Sequence, residues 1–351
     1  MSSAIRHSEE RSGGGRKTPE ALARLHSARL LNRSHCYAAE GGGSVAAPTG
    51  RRSVNGLLMR HIIPISGKDS LATALLQTAR HPELPYEYVF CDTGAELPET
   101  YDWLKRVQEV TGFQIQRVGR NLEALIQHYD ILPSHGRRFC TKEAKIQPLE
   151  KFYGKTDCTV YYGLRADENR VGVRPSDLWT PVYPLVDMGI DLRGVWVILN
   201  RKDLLPPSYF WPSLYYRVLE LMGSRAHLIE ELEPWEQRML FAGRTRSNCY
   251  FCFYQRVYEF AWLAETHPDL FAKLCWFERF GTRRRRPDSQ IFTWNARFFA
   301  DDKIGNERHR IVDTRARQVI QTINNRFNRG LFDDPCDTEI ALTSCGLLCG
   351  K

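Results

Sequence analysis

The stretch MRHIIPISGKDSLATALL, residues 59–76, predicts a buried strand, a short polar turn and an apolar helix in immediate succession. Ile62, Ile63 and Ile65 form the strand-like run, and Ser66–Ser70 form the turn that leads into the helix. A turn of small residues at a helix start presents several backbone N–H groups to one point, and the helix dipole adds positive potential. We therefore expect this turn to bind an anion, most commonly phosphate.

The side chains of the turn extend this expectation. Lys68 would add a full positive charge, Asp69 is able to hold Mg²⁺, and the Ser66 and Ser70 hydroxyls are able to donate hydrogen bonds. A Walker loop needs a glycine where this chain has Ile62 and Ser or Thr where it has Asp69, so the turn is not a Walker loop. The alternative interpretation is a polar helix cap without a ligand.

The composition predicts an ordinary globular protein of one large domain or two. The chain has 351 residues, of which 42% are hydrophobic and 26% charged. It holds no run of 18 apolar residues, which excludes a membrane-spanning helix, and its first thirty residues lack the apolar stretch of a secretory signal. Ten cysteines in such a chain are typical of a reducing compartment, so we expect a cytoplasmic protein without a membrane partner.

The net charge of +8 is concentrated near the N-terminus. Residues 1–58 contribute +5 of it, from nine Lys/Arg and four Asp/Glu, so the global charge is weak evidence for nucleic-acid binding. This leader holds two Gly-Gly-Gly runs and little periodicity, which predicts disorder. Our hypothesis is that functional translation starts at Met59. A transit peptide is the rival, weakened by the acidic residues of the leader.

From residue 59 to 190, strand-like and helical runs alternate, and residues 191–351 are mainly helical. The predicted strands begin at 62, 86, 113 and 158, and the predicted helices of the first region are 70–80, 98–112, 121–129 and 141–153. This alternation predicts an α/β domain with a mostly parallel sheet. Ligands of such sheets bind beyond the carboxyl ends of the strands, where the polar turns of this sequence fall.

Five segments together resemble one enzyme family. SGKDS (66–70) resembles the pyrophosphate-binding loop, usually Ser-Gly-Gly-x-Asp-Ser, of the PP-loop ATP pyrophosphatases, which cleave ATP between its α and β phosphates; Ile65 and Ser66 stand where that family usually has Ser and Gly. CDTGAELPETYDWL (91–104) is similar to a segment of the phosphoadenosine phosphosulfate (PAPS) reductase family. The further similar segments are RRFCTKEAKIQPLEKF (137–152), GLRADENR (163–170) and RSNCYFCFYQ (246–255).

This resemblance implies a Rossmann-like adenine-nucleotide α-hydrolase fold, followed by a helical, cysteine-bearing region. It implies that the nucleotide-binding positions are Ser66, Gly67, Lys68, Asp69, Ser70, Asp92, Gly94, Arg165 and Arg170. The two arginines would neutralise charge that develops on the phosphates, and Lys68, Asp69 and Arg165 would act in catalysis together with Cys140. The alternatives are an ordinary turn at Asp92–Gly94 and surface ion pairs for the arginines.

The cysteines suggest a metal centre. Cys249-x-x-Cys252 has the spacing by which two thiolates on one turn reach one ion, and Cys140 follows two arginines at a predicted helix start, a setting that lowers a thiol pKa. The resemblance implies that these three cysteines hold a [4Fe–4S] cluster, with zinc as the alternative. Cys275 is the candidate fourth ligand, although a buried filler or an open iron position is also possible.

The tail TSCGLLCGK (343–351) carries Cys345 and Cys349 and resembles the Glu-Cys-Gly-Leu-His tail of PAPS reductases only in its Cys-Gly-Leu triplet. A frayed terminus and a sulfur relay are the favoured roles for these two cysteines, ahead of a nucleophile. A cluster ligand is a further alternative.

The pattern is nearest to the DNA phosphorothioation branch of this family. It implies an ATP- and Mg²⁺-dependent enzyme that releases pyrophosphate, adenylates an acceptor and transfers sulfur to it. The implied partners are a sulfur donor such as a cysteine desulfurase, a nucleic-acid acceptor and partner subunits. One alternative is a thiol-dependent reductase of a sulfonucleotide (PAPS or APS). Another is a non-catalytic nucleotide-binding subunit of a nucleic-acid modification or defence complex.

Overall fold

The computed structural model describes residues 59–168, 178–244, 246–279, 294 and 299–328. The strands are β1 (Arg60–Pro64), β2 (Tyr86–Cys91), β3 (Ile115–Val118), β4 (Cys158–Tyr161) and β5 (Trp179–Val182). The helices of the first region are α1 (Lys68–Arg80), α2 (Pro98–Thr111), α3 (Leu122–Tyr129), α4 (Phe139–Thr141), α5 (Gln147–Tyr153), α6 (Pro184–Asp187) and α7 (Leu192–Arg201). The later helices are α8 (Pro212–Met222), α9 (Pro234–Leu240), α10 (Val257–Thr266), α11 (Pro268–Arg279) and α12 (Ala300–Asn328).

The five strands form one parallel sheet in the order β3-β2-β1-β4-β5. Its central strands are apolar on both faces because helices cover both: Ile63 packs in one core cluster and Ile62 in another. The predicted α/β fold with a mostly parallel sheet and a helical C-terminal region is therefore confirmed. The edge strand β5 was not predicted, since Pro181 interrupts a four-residue run that carries little strand signal.

The strand order reverses between β1 and β4, because β1 is followed in sequence by β2 on one side and paired with β4 on the other. In open parallel sheets this reversal leaves a crevice outside the carboxyl ends of the two strands. The turn at Ser66 follows β1, and the segment Gly163–Glu168 follows β4. Both predicted ligand-binding segments therefore face one crevice.

Most helix boundaries agree with the sequence patterns. The helix predicted from residue 70 begins at Lys68, the Asp191 side chain caps α7 by accepting from the Gly194 N–H at 2.7 Å, and the chain breaks at Pro268 into α10 and α11. The segment 141–153 differs from the prediction, since a π-helical turn over Lys142–Ile146 separates α4 from α5. Such turns insert one residue into a helix and redirect its side chains.

The C-terminal helices share their core with the loops at the carboxyl end of the sheet. Ala95 and Leu97 lie in the same apolar cluster as Trp211, Phe251 and Trp262, so the cysteine-bearing region packs directly onto the end of the sheet where ligands are expected. Within the described ranges, no helix has both the length and the apolar character needed to cross a membrane.

Several predictions concern residues outside those described. They are the predicted disorder of the leader 1–58, the site residue Arg170, and the tail cysteines Cys345 and Cys349. The domain boundaries proposed from the sequence also stay predictions.

Candidate functional site

The turn after β1 is held in shape by the Ser70 hydroxyl. Ser70 Oγ accepts hydrogen bonds from the backbone N–H groups of Ser66 at 2.8 Å and Gly67 at 3.1 Å, and it donates to the Gly67 carbonyl at 3.0 Å. The Ile65 N–H donates to the Val89 carbonyl at 2.8 Å, which fixes the start of the turn beside β2. The turn is therefore preorganised by its own side chain before any ligand is considered.

Lys68 and Asp69 stand at the first turn of α1, and both are partly exposed. Asp69 Oδ2 lies 3.2 Å from Lys68 Nζ, and Asp69 Oδ1 lies 3.2 Å from Arg165 Nη1. The carboxylate thus joins the turn after β1 to the segment after β4 across the strand reversal. A cation, a carboxylate and the N-terminal N–H groups of a 13-residue helix meet at one point, which suits a phosphate group with a bound Mg²⁺.

Arg165 is buried and paired with three carboxylates. Its guanidinium contacts Asp69, Asp167 at 2.8 Å and Glu168 at 3.0 Å, and only 3% of its side chain is exposed. Burial opposes the charged form, but the hydrogen bond to Asp167 and the charges of Asp69 and Glu168 raise the pKa of Arg165 well above its ordinary value. Arg165 therefore positions the Asp69 carboxylate and ties the two segments together in this geometry.

Gly163 lets the segment after β4 approach the turn closely. A Cβ at this position would lie 2.4 Å from the Ser70 nitrogen and 2.6 Å from the Asp69 carbonyl carbon, well inside van der Waals contact. Only glycine fits between these backbones, so its small size determines how near Arg165 comes to Asp69.

Asp92 and Gly94 follow β2 in the next loop. Asp92 Oδ1 accepts from the Gly94 N–H and from the Tyr101 hydroxyl, both at 2.8 Å, and its Oδ2 lies 3.8 Å from an Arg117 nitrogen. Gly119, at the end of β3, adopts φ +135°, and a Cβ there would lie 1.9 Å from the Asp92 carbonyl oxygen. Residues at the ends of β2 and β3 thus fix the position of Asp92.

The other side of the same loop contacts Cys249. The Cys249 sulfur lies 3.2 Å from Thr93 Oγ1 and 3.8 Å from Glu96 Oε1, and Thr93 donates to Glu96 at 3.0 Å. All three side chains are buried, and burial raises the pKa of the Cys249 thiol. The Tyr250 N–H donates to the Ala95 carbonyl at 2.8 Å, so the Cys-x-x-Cys turn is fixed to the loop that carries Asp92.

Cys140 and Cys252 are half-buried, and the charge of Cys252 influences the pKa values of both Cys140 and Cys249. Burial raises the pKa of Cys140, and the neighbouring Cys252 thiol adds to the effect; Cys252 acts on Cys249 in the same way. Lys145, in the π-helical turn, is their cation. Burial lowers its pKa, but the Cys249 thiol and the Glu96 carboxylate outweigh burial and raise it above its ordinary value.

Cys275, the predicted fourth ligand, lies in a different group. Its sulfur is within 4.8 Å of carboxylate oxygens of Glu278 and Asp301, and burial and these carboxylates raise the pKa of its thiol to about 12. In the described part of the chain, the sulfur atoms of Cys140, Cys249 and Cys252 do not all lie within 4.8 Å of one another.

Sequence reasoning did not single out Thr93, Glu96, Lys145 or Gly163. All four lie in segments that carry the family resemblance, and Thr93 and Glu96 are three residues apart in the sequence. A buried acid and a buried hydroxyl cannot be recognised in a polar loop until the fold closes over them.

Comparison with known proteins agrees with the geometry. Residues 60–175 match the model of the phosphoadenosine phosphosulfate reductase domain. An uncharacterized protein of Methanocaldococcus jannaschii, MJ0066, is 25% identical over 211 residues, which cover 59% of this chain and 38% of that protein. This chain therefore spans well under half of the length of that relative.

A solved structure is also similar to this chain. It is the phosphate complex of phosphoadenylyl-sulfate (PAPS) reductase from Candida auris, with 16% identity and a TM-score of 0.36, covering 56% of this chain and 91% of that one. The matched residues 60–175 include the four strands β1 to β4 but not β5. They also contain the turn at Ser66–Ser70, the loop of Asp92, and Arg165. Residues 60–175 are therefore similar to the phosphoadenosine phosphosulfate reductase domain.

Proposed function

We propose that this chain binds ATP with Mg²⁺, cleaves it between the α and β phosphates, and adenylates an acceptor that then receives sulfur. The acceptor oxygen would attack the α-phosphorus, and pyrophosphate would leave. Sulfur at the sulfide level would then displace AMP from the adenylated acceptor. The PAPS reductase domain supports the enzyme class, and the proposed reaction rests on the arrangement of residues around the turn.

The contact between Asp69 and Arg165, at 3.2 Å, is the observation that carries this proposal. It brings the turn after β1 and the segment after β4 to one ligand at the strand reversal, where nucleotides bind in open parallel sheets. The leaving pyrophosphate would lie at the start of α1 beside Lys68, and Asp69 would bind Mg²⁺. Fixed charges at the leaving group stabilise the transition state, because negative charge builds up there.

The attack of the acceptor hydroxyl would be accelerated by alignment with the α-phosphate rather than by activation with a strong base. Asp92, fixed by Tyr101 and Gly94 at the carboxyl end of β2, would orient a ribose or acceptor hydroxyl. Holding the two reacting groups in line removes a large part of the entropic barrier of a two-substrate reaction.

The three cysteines Cys140, Cys249 and Cys252 fit a thiolate-ligated metal group. They come from two elements, they act on one another electrostatically, and Lys145 supplies a cation that would offset thiolate charge. One zinc ion holds its sulfur ligands at about 2.3 Å, which needs closer sulfur atoms than these. A four-iron cluster spaces its cysteine sulfurs more widely than one zinc ion does, and we propose a [4Fe–4S] cluster with zinc as the alternative. Such a group would supply electron or sulfide chemistry when bound.

Pyrophosphate release from ATP tests the proposal. We expect release by the whole chain with Mg²⁺, and a loss of about 10²-fold in Lys68→Ala, since one fixed cation at the leaving group is removed. Lys105→Ala is the matched control, because Lys105 is an exposed lysine on α2. Release that is equal in Lys68→Ala and Lys105→Ala would contradict the assignment of the turn.

The domain match favours one further candidate, the reduction of a sulfonucleotide. Sulfite release from PAPS or APS with thioredoxin as reductant would identify that activity. Cys140 is followed by Thr141 in this chain, whereas the reductases with a cluster commonly have two adjacent cysteines there. ATP binding that yields neither product would instead indicate a nucleotide-binding subunit.

A further inference from the structure

A group of buried polar atoms without partners lies in the C-terminal helical region, between α10 and α12. Arg315 is 7% exposed, and its Nε and Nη2 have no hydrogen-bond partner among the described residues. The hydroxyl of Tyr258, which is 8% exposed, also has none. The Arg315 guanidinium lies 4.6 Å from the centre of the Tyr258 ring, so these atoms are neighbours.

Unpartnered donors of this kind are costly in a folded protein. Burying a polar group without a hydrogen bond is unfavourable, and burying an unpaired charge is more so. The Nη1 atom of Arg315 has one distant partner, Gln318 Oε1 at 3.4 Å, which is far from balancing a full charge. Burial lowers the pKa of Arg315, yet a guanidinium stays protonated at neutral pH.

Further positive charge surrounds Arg315. Arg256, which is exposed, acts on both Arg315 and the half-buried Arg246, and all three are close to one carboxylate, that of Glu259. Glu259 Oε2 is engaged by the Arg256 N–H at 2.7 Å. Among the described residues, the charged groups that act on Arg315 are one arginine, Arg256, and one carboxylate, Glu259.

The chemistry of this group selects its ligand. Guanidinium groups donate hydrogen bonds and accept none, and a tyrosine hydroxyl is able to donate, so the unpartnered atoms match an anion with several acceptor oxygens. The excess positive charge excludes a metal cation. Because Arg315 and Tyr258 are more than nine-tenths buried, a compact anion would reach them, whereas the backbone of a polynucleotide would not.

We propose that Arg315 and Tyr258 form a binding site for a small tetrahedral oxyanion of the sulfate or phosphate class. The site lies apart from the turn at Ser66, and it does not depend on the reaction proposed above. Arg315 does not serve to balance the charge of a Cys252 thiolate, since Cys252 is not among the groups that act on Arg315.

Calorimetric titration of the whole chain with sodium sulfate and with sodium phosphate, at constant ionic strength, tests this proposal. We expect saturable binding by the natural protein, and binding about tenfold or more weaker in Arg315→Met, the loss expected when charge-assisted hydrogen bonds are removed. Arg317→Met, an exposed arginine on the same helix, should bind as the natural protein does. Tyr258→Phe removes only the hydroxyl and should weaken binding severalfold.

The stability of Arg315→Met without added anion separates a ligand site from a structural role. We expect this variant to be at least as stable to urea as the natural protein, because it loses an unpartnered buried charge. A purely structural arginine would give a less stable variant with unchanged anion binding, which would overturn the proposal. Absence of saturable binding, or displacement of sulfate by a single-stranded oligonucleotide that depends on Arg315, would also overturn it.

Discussion

Gly163→Ala should impair both folding and pyrophosphate release, because the new Cβ has no room. It would lie 2.4 Å from the Ser70 nitrogen and 2.6 Å from the Asp69 carbonyl carbon, whereas ordinary contacts begin near 3.4 Å. The two backbones must therefore separate by roughly 1 Å, a displacement of the size that costs about 10²-fold in rate when it misplaces a reacting group. Overpacking of this kind also costs about 1–3 kcal/mol of stability.

Two measurements check this expectation on the same protein samples. Urea denaturation should give a lower midpoint with an unchanged slope, and pyrophosphate release from ATP should fall by about 10²-fold under conditions where the variant is fully folded. Gly136→Ala is the matched control, since a Cβ at Gly136 meets no atom within 4 Å. Full stability and full pyrophosphate release in Gly163→Ala would refute the close approach of the two segments.

Three other changes test separate parts of the structure. Arg165→Met leaves buried carboxylates without their cation and should lower the free energy of unfolding by about 3–5 kcal/mol in urea, against less than about 1 kcal/mol for the exposed Arg106→Met. Burial raises the Glu278 pKa to about 7 from an ordinary value of 4.5. The free energy of unfolding should therefore fall by about 3 kcal/mol as the pH rises from 4.5 to 7. Glu278→Gln should flatten this pH dependence when it is measured by thermal unfolding. After anaerobic reconstitution with iron and sulfide, Cys249→Ala should lose absorbance near ~400 nm while Cys275→Ala keeps it; equal spectra would contradict the separation of these cysteines.

The sign of the Glu278 prediction follows from desolvation, which outweighs the hydrogen bonds of its carboxylate. The carboxylate accepts the N–H groups of Trp294 and Ala300, both at 2.8 Å, which favours the charged form, but desolvation is the larger effect and favours the neutral form. A raised pKa in the folded state gives stability that is complete below the unfolded pKa and is lost as the pH rises through the folded one.

The sequence predicted the sheet well because its strands are short apolar runs bounded by turn residues. Residues 59–76 combine an apolar strand-like run, a polar turn and an apolar helical run. The helix in this stretch begins at Lys68, two residues before the predicted position. The weak element was β5, whose Pro181 and polar Thr180 give an edge strand no recognisable pattern. Pairing with Cys158–Tyr161, rather than propensity, makes that segment a strand.

The side chains of the site were less predictable than the segments that carry them. The sequence suggested that Arg165 would neutralise phosphate charge, whereas in the structure three carboxylates already bind its guanidinium. Two of them, Asp167 and Glu168, are neighbours in sequence, but Asp69 is 96 residues away and comes within reach only through the strand order. A role that depends on such a contact cannot be inferred from spacing.

The loop Asp92–Glu96 couples the two halves of the candidate site. Asp92 accepts a hydrogen bond from the Tyr101 hydroxyl, while Thr93 and Glu96 contact the Cys249 sulfur. A change in the charge of that thiol would act on Glu96 at 3.8 Å, four residues from Asp92, which is proposed to orient a ligand hydroxyl. Because Thr93 and Glu96 are buried and bonded to each other, the loop has little freedom to absorb such a change locally. The cysteines and the nucleotide are therefore expected to influence each other's binding, with equal free energy in both directions.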